Sequence, residues 1–303
     1  MTQTSAPVAV EVPRSLASSY ARLSIMVLIW AANWPLVKSI FSVISPVGYM
    51  ATRLGGAVII MGALAFPLRE PLLAAPKERV KLALIGIGQI GATLGLSSVA
   101  LQYVGPGRAA VLTHTMQLWA LPLGWLIARD RVGDKAVAGG LIGFLGILVF
   151  LNPMLVNWRD PRILVGNTLL LASAISWALA ASFYRRYRWQ TPFWTQAFWQ
   201  VLWSAVVTLL LWALVGEPRP ILWTGSLLGV LAFNWFGCTA LCYWWWGKVL
   251  SVMPASRAGQ ITSLVPATTA VMSALTGREP ITLGVAASIV LISSGIFLTL
   301  RSK

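Results

Sequence analysis

Acidic residues are nearly missing from this chain. Eight Asp and Glu are spread over 303 residues, against 23 Lys and Arg. They are Glu11, Glu70, Glu78, Asp130, Asp134, Asp160, Glu217 and Glu279, and none lies well inside an apolar run. His114 is the only histidine. The two cysteines, Cys238 and Cys242, sit four apart and suit small apolar packing positions. These shortages exclude several classes of chemistry. No metal cluster can be built from one histidine and two co-helical cysteines. No Ser–His–Asp set can assemble within the apolar runs. No phosphate-binding loop is present, so the chain has no ATP engine. A non-enzymatic protein without cofactor or metal is expected.

Charge of any sign is also scarce. Asp, Glu, Lys and Arg make up 10% of the residues, against about 25% in an ordinary soluble protein. Hydrophobic residues make up 57%. The apolar runs are continuous rather than alternating, which points to a helical membrane protein and away from a transmembrane barrel. The net charge of +15 does not indicate nucleic acid. Lys and Arg gather in short connections between apolar runs, the distribution that sets membrane orientation. No soluble basic domain exists to carry a nucleic-acid site. Residues 1–20 are rich in Ser, Ala, Val and Pro and read as a disordered cytoplasmic tail. No small-residue cleavage site follows a basic start, so a cleaved signal peptide is not expected.

Gly, Pro and charge clusters divide the rest into ten helical spans. The expected bounds are 21–40, 46–66, 81–101, 106–128, 135–152, 165–184, 193–215, 223–246, 253–275 and 281–300. With the N-terminus cytoplasmic, sixteen of the 23 basic residues fall in cytoplasmic connections and five outside. Both termini are therefore expected on the cytoplasmic face of an inner membrane.

The chain also repeats itself. Arg108-Ala109-Ala110-Val111-Leu112-Thr113 returns as Arg257-Ala258-Gly259-Gln260-Ile261-Thr262, an offset of 149 residues. Arg129-Asp130 returns as Arg278-Glu279, and Gly146 as Gly295, at the same offset. Trp30-Ala31 returns as Trp177-Ala178 at an offset of 147. Each half holds five spans. Five is odd, so the second half starts from the opposite side and the copies are inverted. The expected fold is all-α integral membrane, ten transmembrane helices in two inverted five-helix repeats, 21–152 and 165–300.

Several motifs carry a resemblance. Span 1 has Ile29-Trp30-Ala31-Ala32-Asn33-Trp34 followed by Lys38. Span 2 has Ser45-Pro46 followed by Arg53. Span 9 has Pro254, then Leu264-Val265-Pro266, then Gly277-Arg278-Glu279-Pro280. In order and spacing these resemble the drug/metabolite transporter superfamily, in particular its EamA-type ten-helix exporters, over about residues 20–300. The first repeat departs from the pattern, with Gln117 where the second has Pro266 and Asp130 where Glu is usual. The tryptophan content is closest to the family's aromatic amino-acid exporters. The resemblance implies transport of a small molecule.

A polar side chain in hydrocarbon needs a partner or a cavity. Trp30, Asn33 and Trp34 share one face of span 1. Gln89 and Thr93 line a stripe on span 3 that continues to Ser97. His114 and Gln117 share a face of span 4 with Thr113. Trp177 lies on span 6, Asn234 on span 8 and Gln260 on span 9. A cavity lined by spans 1, 3, 4, 6, 8 and 9 makes these the candidate substrate-binding residues. The competing reading is interhelical hydrogen bonding, about 0.6 kcal/mol per bond in one membrane host. Arg53 suits either a carboxylate or a lipid phosphate. Lys38, near the end of span 1, suits snorkelling to the interface. Arg129, Asp130, Arg278 and Glu279 lie at the ends of spans 4 and 9 and suit gate or helix-end contacts. Gly86, Gly88, Gly91 and Gly95 would let span 3 slide closely against neighbours. Spans 5 and 10, rich in Gly, Ala, Leu and Ile, suit packing or a weak dimer, with membrane lipids as the other partner.

The expected function is export of small amphiphilic metabolites, aromatic amino acids first, by alternating access. The absence of an acid within a span leaves no carboxylate proton relay, so transport is expected to be uncoupled unless His114 carries the proton. The alternatives are another cargo (a nucleotide, sugar or lipid precursor) and a membrane enzyme or assembly subunit.

Overall fold

The structure is a computed structural model that describes residues 14–129, 133–150, 159–217, 220–276 and 282–301. Among these residues every regular element is a helix. Six spans are unbroken α-helices: span 1 (Arg14–Ile40), span 2 (Pro46–Leu68), span 5 (Asp134–Phe150), span 6 (Pro161–Arg186), span 7 (Phe193–Val215) and span 10 (Leu283–Arg301). The other four are interrupted. Span 3 runs from Arg79–Gly86 through a wide π-helical stretch, Ile87–Ala92, into Thr93–Ala100. Span 8 does the same through Gly225–Ala232, Phe233–Leu241 and Cys242–Leu250. Span 4 breaks between Pro106–His114 and Met116–Leu123 and ends in a second wide turn, Gly124–Ala128. Span 9 breaks between Ala255–Thr262 and Val265–Leu275.

The interruptions follow the repeat. Adding the offset of 149 to 87–92 lands at 236–241, inside the π stretch of span 8. Adding it to 115 lands at 264, in the break of span 9. Pro266 explains the second break, because it supplies no N–H to the turn before it. Its counterpart Gln117 cannot explain the first. There Thr115 turns its hydroxyl onto the Leu112 carbonyl at 2.6 Å, competing with the helical ladder.

Among the described residues, six helices are long and apolar enough to cross a membrane, with mean hydropathy from 1.5 to 1.9. Large apolar side chains such as Phe66 (92% exposed), Leu214 and Leu283 cover the outside. That surface suits lipid rather than water. The chain is a multi-pass membrane protein. Arg14 and Arg301 lie on one side of it, called the terminal side below, and the opposite face is the far side.

Span 1 starts earlier than the sequence suggested. Residues 14–20, expected in a disordered tail, continue the helix. Leu16 packs against the cluster of Leu23, Met26, Cys242, Val249, Met253 and Ala258, so burial extends the helix beyond its most apolar part. Residues 1–13 lie outside the described residues.

Packing is two-fold. Span 1 packs on span 9 as span 6 packs on span 4. Span 3 packs on span 7 as span 8 packs on span 2. Spans 2 and 7 pack together, and so do spans 5 and 10. In the last pair a Cβ on Gly295 would lie 2.4 Å from the Gly143 amide nitrogen and 2.6 Å from the Gly139 carbonyl oxygen. The two backbones meet there with no side chain between them. Three of the four expected contact glycines of span 3 also face neighbouring spans, though only Gly86 meets backbone closely. A Cβ on Gly86 would strike the Gln200 backbone of span 7, Gly88 faces Ala180 of span 6, and Gly91 faces Ser204. Gly95 faces open space.

Two of the scarce acids hold helix starts. On the far side, Glu217 accepts from the Ser45 amide and from the Ser45 hydroxyl, both at 2.7 Å, and from the Trp212 indole at 2.9 Å. On the terminal side, Glu78 accepts from the Gln190 amide at 2.8 Å, the Thr191 amide at 3.1 Å and the Thr191 hydroxyl at 2.6 Å. Ser45-Pro46 opens span 2, and Thr191-Pro192 precedes span 7 at an offset of 146. Each half therefore sends a carboxylate to the hydroxyl that starts a helix of the other.

Two outcomes follow. Gly295→Val should destabilise the protein by at least the ~1–3 kcal/mol of ordinary overpacking, because the obstacle is backbone. Thermal unfolding in detergent measures it. For Glu78, burial opposes the charge. The Thr191 hydroxyl, the Gln190 and Thr191 amides and nearby Lys81 outweigh that and hold the carboxyl below its usual pKa. Its contribution is therefore complete above the ordinary carboxylate range and disappears as pH falls through the depressed value. Glu78→Gln should lower Tm at neutral pH, with the gap to the parent closing only in acid. A gap independent of pH would mean the charge contributes nothing.

Candidate functional site

Broken and widened helices free backbone groups, and in this bundle those groups are held by side chains from other spans. The π stretch of span 3 frees the Gly88 carbonyl. It accepts from Thr93 at 3.2 Å on its own span and from Ser176 of span 6 at 2.9 Å. In span 8 the Cys238 carbonyl accepts a long 3.4 Å bond from the Trp30 indole of span 1. The two arrangements join corresponding pairs of spans, 3 with 6 and 8 with 1, through residues one position away from exact repeat equivalents. Pro35 leaves the Ala31 carbonyl of span 1 without its usual donor, and Thr269 of span 9 reaches it at 3.4 Å. Discontinuous helices at matching points of two inverted halves mark the place where such proteins hold small solutes.

The candidate residues divide into three groups around these joints. Trp30 on span 1 meets Cys238 on span 8, with Asn33 and Asn234 about one turn away on their own spans. Trp30 also stands 6.3 Å from Trp246, ring centre to ring centre. Asn234 is fully buried, and its amide nitrogen donates to the Val230 carbonyl at 2.8 Å. The side-chain oxygens of Asn33 and Asn234 are both buried and without a hydrogen-bond partner. Arg53 of span 2 joins this group. It is 7% exposed, lies 5.9 Å from the Tyr49 ring centre and is near Cys238 and Tyr243.

The second group flanks the break in span 4. His114 is buried with Nδ1 2.8 Å from the Ala110 carbonyl. A carbonyl oxygen only accepts, so Nδ1 carries the proton in that contact. Gln117, just past the break, keeps a buried side-chain oxygen without a partner. Trp119, one turn from Thr115, keeps its indole N–H unpartnered while its ring sits edge-on to Phe144 at 5.0 Å.

The third group is a hydroxyl cluster joining spans 3, 4 and 6. Ser97 and Ser173 are 2.8 Å apart, Ser97 and Thr113 are 3.4 Å apart, and Ser173 donates to the Thr93 carbonyl at 2.9 Å. Thr93 donates to the Gly88 and Ser173 carbonyls. Its hydroxyl is thus engaged between helices. Gln89 is half-buried within the π stretch, and Trp177 is half-buried on span 6. Trp34 packs against the main apolar core. Gln260 lies in the helix Ala255–Thr262, one turn before the break; its side chain lies outside the described residues.

Lys38 differs from expectation. It does not snorkel to the interface: its ammonium donates to the Leu101 carbonyl, and to the Val104 carbonyl at 3.2 Å. These are orphan groups at the C-terminal end of span 3, where a cation also meets the helix dipole favourably. Arg129 is exposed and closes span 4 in a left-handed conformation, φ 58°. Asp130, Arg278 and Glu279 lie outside the described residues.

Four groups carry little signal in the sequence. Glu78 and Glu217 stand outside the spans, and only the paired Ser45-Pro46 and Thr191-Pro192 hint at their targets. Tyr49 is fully buried with an unpartnered hydroxyl. Asn167 of span 6 is buried with neither side-chain polar atom paired. Asn167 lies on no periodic polar stripe, whereas Tyr49 falls four residues from both Ser45 and Arg53.

The two faces differ in one respect. On the far side, Pro106–His114 of span 4 packs against Val265–Leu275 of span 9 and against spans 1 and 6. On the terminal side, Met116–Leu123 packs on spans 5, 6 and 10, while Ala255–Thr262 packs on spans 1, 8 and 10. Spans 4 and 9 thus meet through their far-side segments, while their terminal-side segments pack mainly on other spans.

Comparison with known proteins agrees with this architecture. A family model described as "EamA-like transporter family" matches residues 19–152 and again residues 164–301. Bacillus subtilis (strain 168) has an uncharacterized transporter, YoaV, that is 25% identical over 277 residues, covering 89% of this chain and 92% of its own. A probable amino-acid metabolite efflux pump of Salmonella typhimurium (strain LT2) is 25% identical over 290 residues, covering 90% of this chain and 92% of its own. A solved crystal structure matches the fold with a TM-score of 0.67, at 18% identity, over 93% of this chain and 96% of its own. With nearly all of both repeats matched by the family model, the chain belongs to the EamA-like transporters of the drug/metabolite transporter superfamily.

Proposed function

We propose that this transporter exports small amphiphilic metabolites, aromatic amino acids foremost, from the cytoplasm by alternating access. The observation that carries the mechanism is the inequality of the two faces. Spans 4 and 9 are broken at matching points, their far-side segments pack together, and their terminal-side segments pack apart. Two inverted halves that can exchange such arrangements would open a midplane site to each side in turn. The excess of Lys and Arg in the connections on the terminal side supports a cytoplasmic position for that side, in an inner membrane. On this reading the far-side packing closes the site outward, and cargo would load from the terminal side.

Cargo and direction draw support from two further points. The relative from Salmonella typhimurium bears the name of a probable amino-acid metabolite efflux pump. Trp30, Trp246 and Trp177 provide apolar faces on or beside the candidate cavity helices, which suit flat side chains. With every acid outside the interior of the spans, the reading is a uniporter driven by its cargo gradient. His114 is the one side chain in the site that could add proton coupling.

Tryptophan counterflow in proteoliposomes tests this reading. Labelled tryptophan should enter vesicles preloaded with unlabelled tryptophan, at a rate unchanged by a protonophore. Lack of exchange for every aromatic solute would remove the cargo assignment, and exchange of a nucleotide or sugar instead would replace it. Collapse of exchange on adding the protonophore would remove the uncoupled mechanism. Spin labels test the motion separately. The distance between Pro106–His114 and Val265–Leu275 should lengthen in a second population, while that between Met116–Leu123 and Ala255–Thr262 shortens. Lys38→Gln removes the cap on span 3 at the far side and should enlarge that population. A single unchanged distance at both positions would exclude alternation.

A further inference from the structure

Arg53 is a permanent charge buried among apolar and aromatic groups. Its Nε is buried with no hydrogen-bond partner, and a guanidinium in a protein keeps its proton. All eight acids of the chain lie at the ends of spans or outside them. Among the described residues it stands beside the neutral Tyr49 and pairs with no acid, and a buried cation so placed calls for an anion from outside. The planar fork of Arg favours a carboxylate held by two parallel bonds.

The π stretch of span 8 fixes where that fork lies. The Trp235 indole donates to the Thr52 carbonyl of span 2 at 3.2 Å. Its ring occupies the space over Gly56, where a Cβ would come within 2.2 Å of it. These contacts hold span 2 against span 8 with Arg53 beside Cys238. The other side of Cys238 is held by Trp30 of span 1. Spans 1 and 8 run in opposite directions. Asn33 is three residues beyond Trp30, and Asn234 is four residues before Cys238. At a rise of about 1.5 Å per residue both lie roughly one turn toward the far side, at similar depth.

Their amides point usefully. Asn234 donates through nitrogen to the Val230 carbonyl. Turning the amide over would set two oxygens together, so its oxygen is the free end. That oxygen is buried without a donor, as is the side-chain oxygen of Asn33. Two unpartnered acceptors at one depth suit a group that only donates. An ammonium has three N–H donors and no acceptor.

We infer that spans 1, 2 and 8 form a recognition site for the head group of an α-amino acid, with Arg53 taking the carboxylate and the side-chain oxygens of Asn33 and Asn234 taking the ammonium. This rests on the reading of the chain as an amino-acid transporter and makes it more specific. The site reads the head group and leaves the side chain free to vary. Both charged groups are then required of the cargo, and an aromatic amine or an aromatic acid alone is a poor substitute.

Binding and transport are measured separately, so that the two ideas can fail separately. The purified full-length protein is titrated with L-tryptophan, tryptamine and indole-3-propionate, and ligand-induced rise in Tm is read. Counterflow of the same three compounds is read in proteoliposomes. L-tryptophan should bind and exchange, and each analogue should do so about tenfold or more weakly. Arg53→Gln should cut tryptophan binding by about tenfold or more while leaving tryptamine binding nearly unchanged, and Asn234→Leu should do the reverse for indole-3-propionate. Arg53→Lys, which keeps the charge and loses the fork, should fall between. Tryptophan binding that survives Arg53→Gln and Asn234→Leu overturns the site and leaves transport untouched. Binding that behaves as described, without counterflow, supports the site and rejects the transport reading. Absence of tryptophan binding to the parent overturns the head-group site. Equal loss of all three ligands in a variant whose own Tm has collapsed counts for folding alone, and the analogue preferences of the parent then decide.

Discussion

Within a bilayer a backbone carbonyl deprived of its helical N–H has no water to turn to. Much of this structure follows from that constraint. The π stretches of spans 3 and 8, the proline in span 1 and the end of span 3 each leave carbonyls in need of donors. The donors come from other spans: Ser176 for Gly88, Trp30 for Cys238, Thr269 for Ala31, and Lys38 for Leu101 and Val104. A helix that would be defective alone is complete only against its neighbour. The irregularities that shape the candidate site therefore also join the helices around it.

The same economy governs the acids. Glu78 and Glu217 each receive three hydrogen bonds at the rim, and together they fasten each repeat to the other at opposite faces. Spans 2 and 7, whose starts they hold, pack against one another. This pair joins the two halves, and the spans beside it carry the breaks. Among the described residues, the interior then holds the buried Arg53 among neutral amides and hydroxyls.

The fold was largely legible because its signals are long-range and redundant. Apolar runs gave the spans, and the offset of 149 with an odd number of spans gave the inversion. Trp30, Asn33 and Asn234 were visible as polar groups on candidate cavity helices. The π stretches were not, since Gly88 and Cys238 look like ordinary small residues and widening depends on a donor from another span. Thr93 shows the opposite failure. Its position on a polar stripe is the same whether it faces a solute or, as here, the carbonyls of Gly88 and Ser173. Lys38 misled because a lysine at a span end has two outlets, lipid headgroup and orphan carbonyl, and only packing chooses between them.

An inverted repeat cannot occupy one asymmetric state without its sequence describing the other. Lys38 has its counterpart at Arg185, 147 residues on, and the Leu101 and Val104 carbonyls have theirs at Leu250 and Met253, 149 residues on. On the far side Lys38 fastens the end of span 3. On the terminal side Arg185 instead donates to Ala120 of span 4 and to Ser182 of its own span, both at 3.3 Å, and Arg186 donates to Ile127 at 3.2 Å. Related cations thus tie different pairs of helices on the two faces. Under the proposed alternating-access mechanism, the second state would give each cation the kind of partner its counterpart holds here, and a ligand would shift the balance only through a difference in its affinity for the two states.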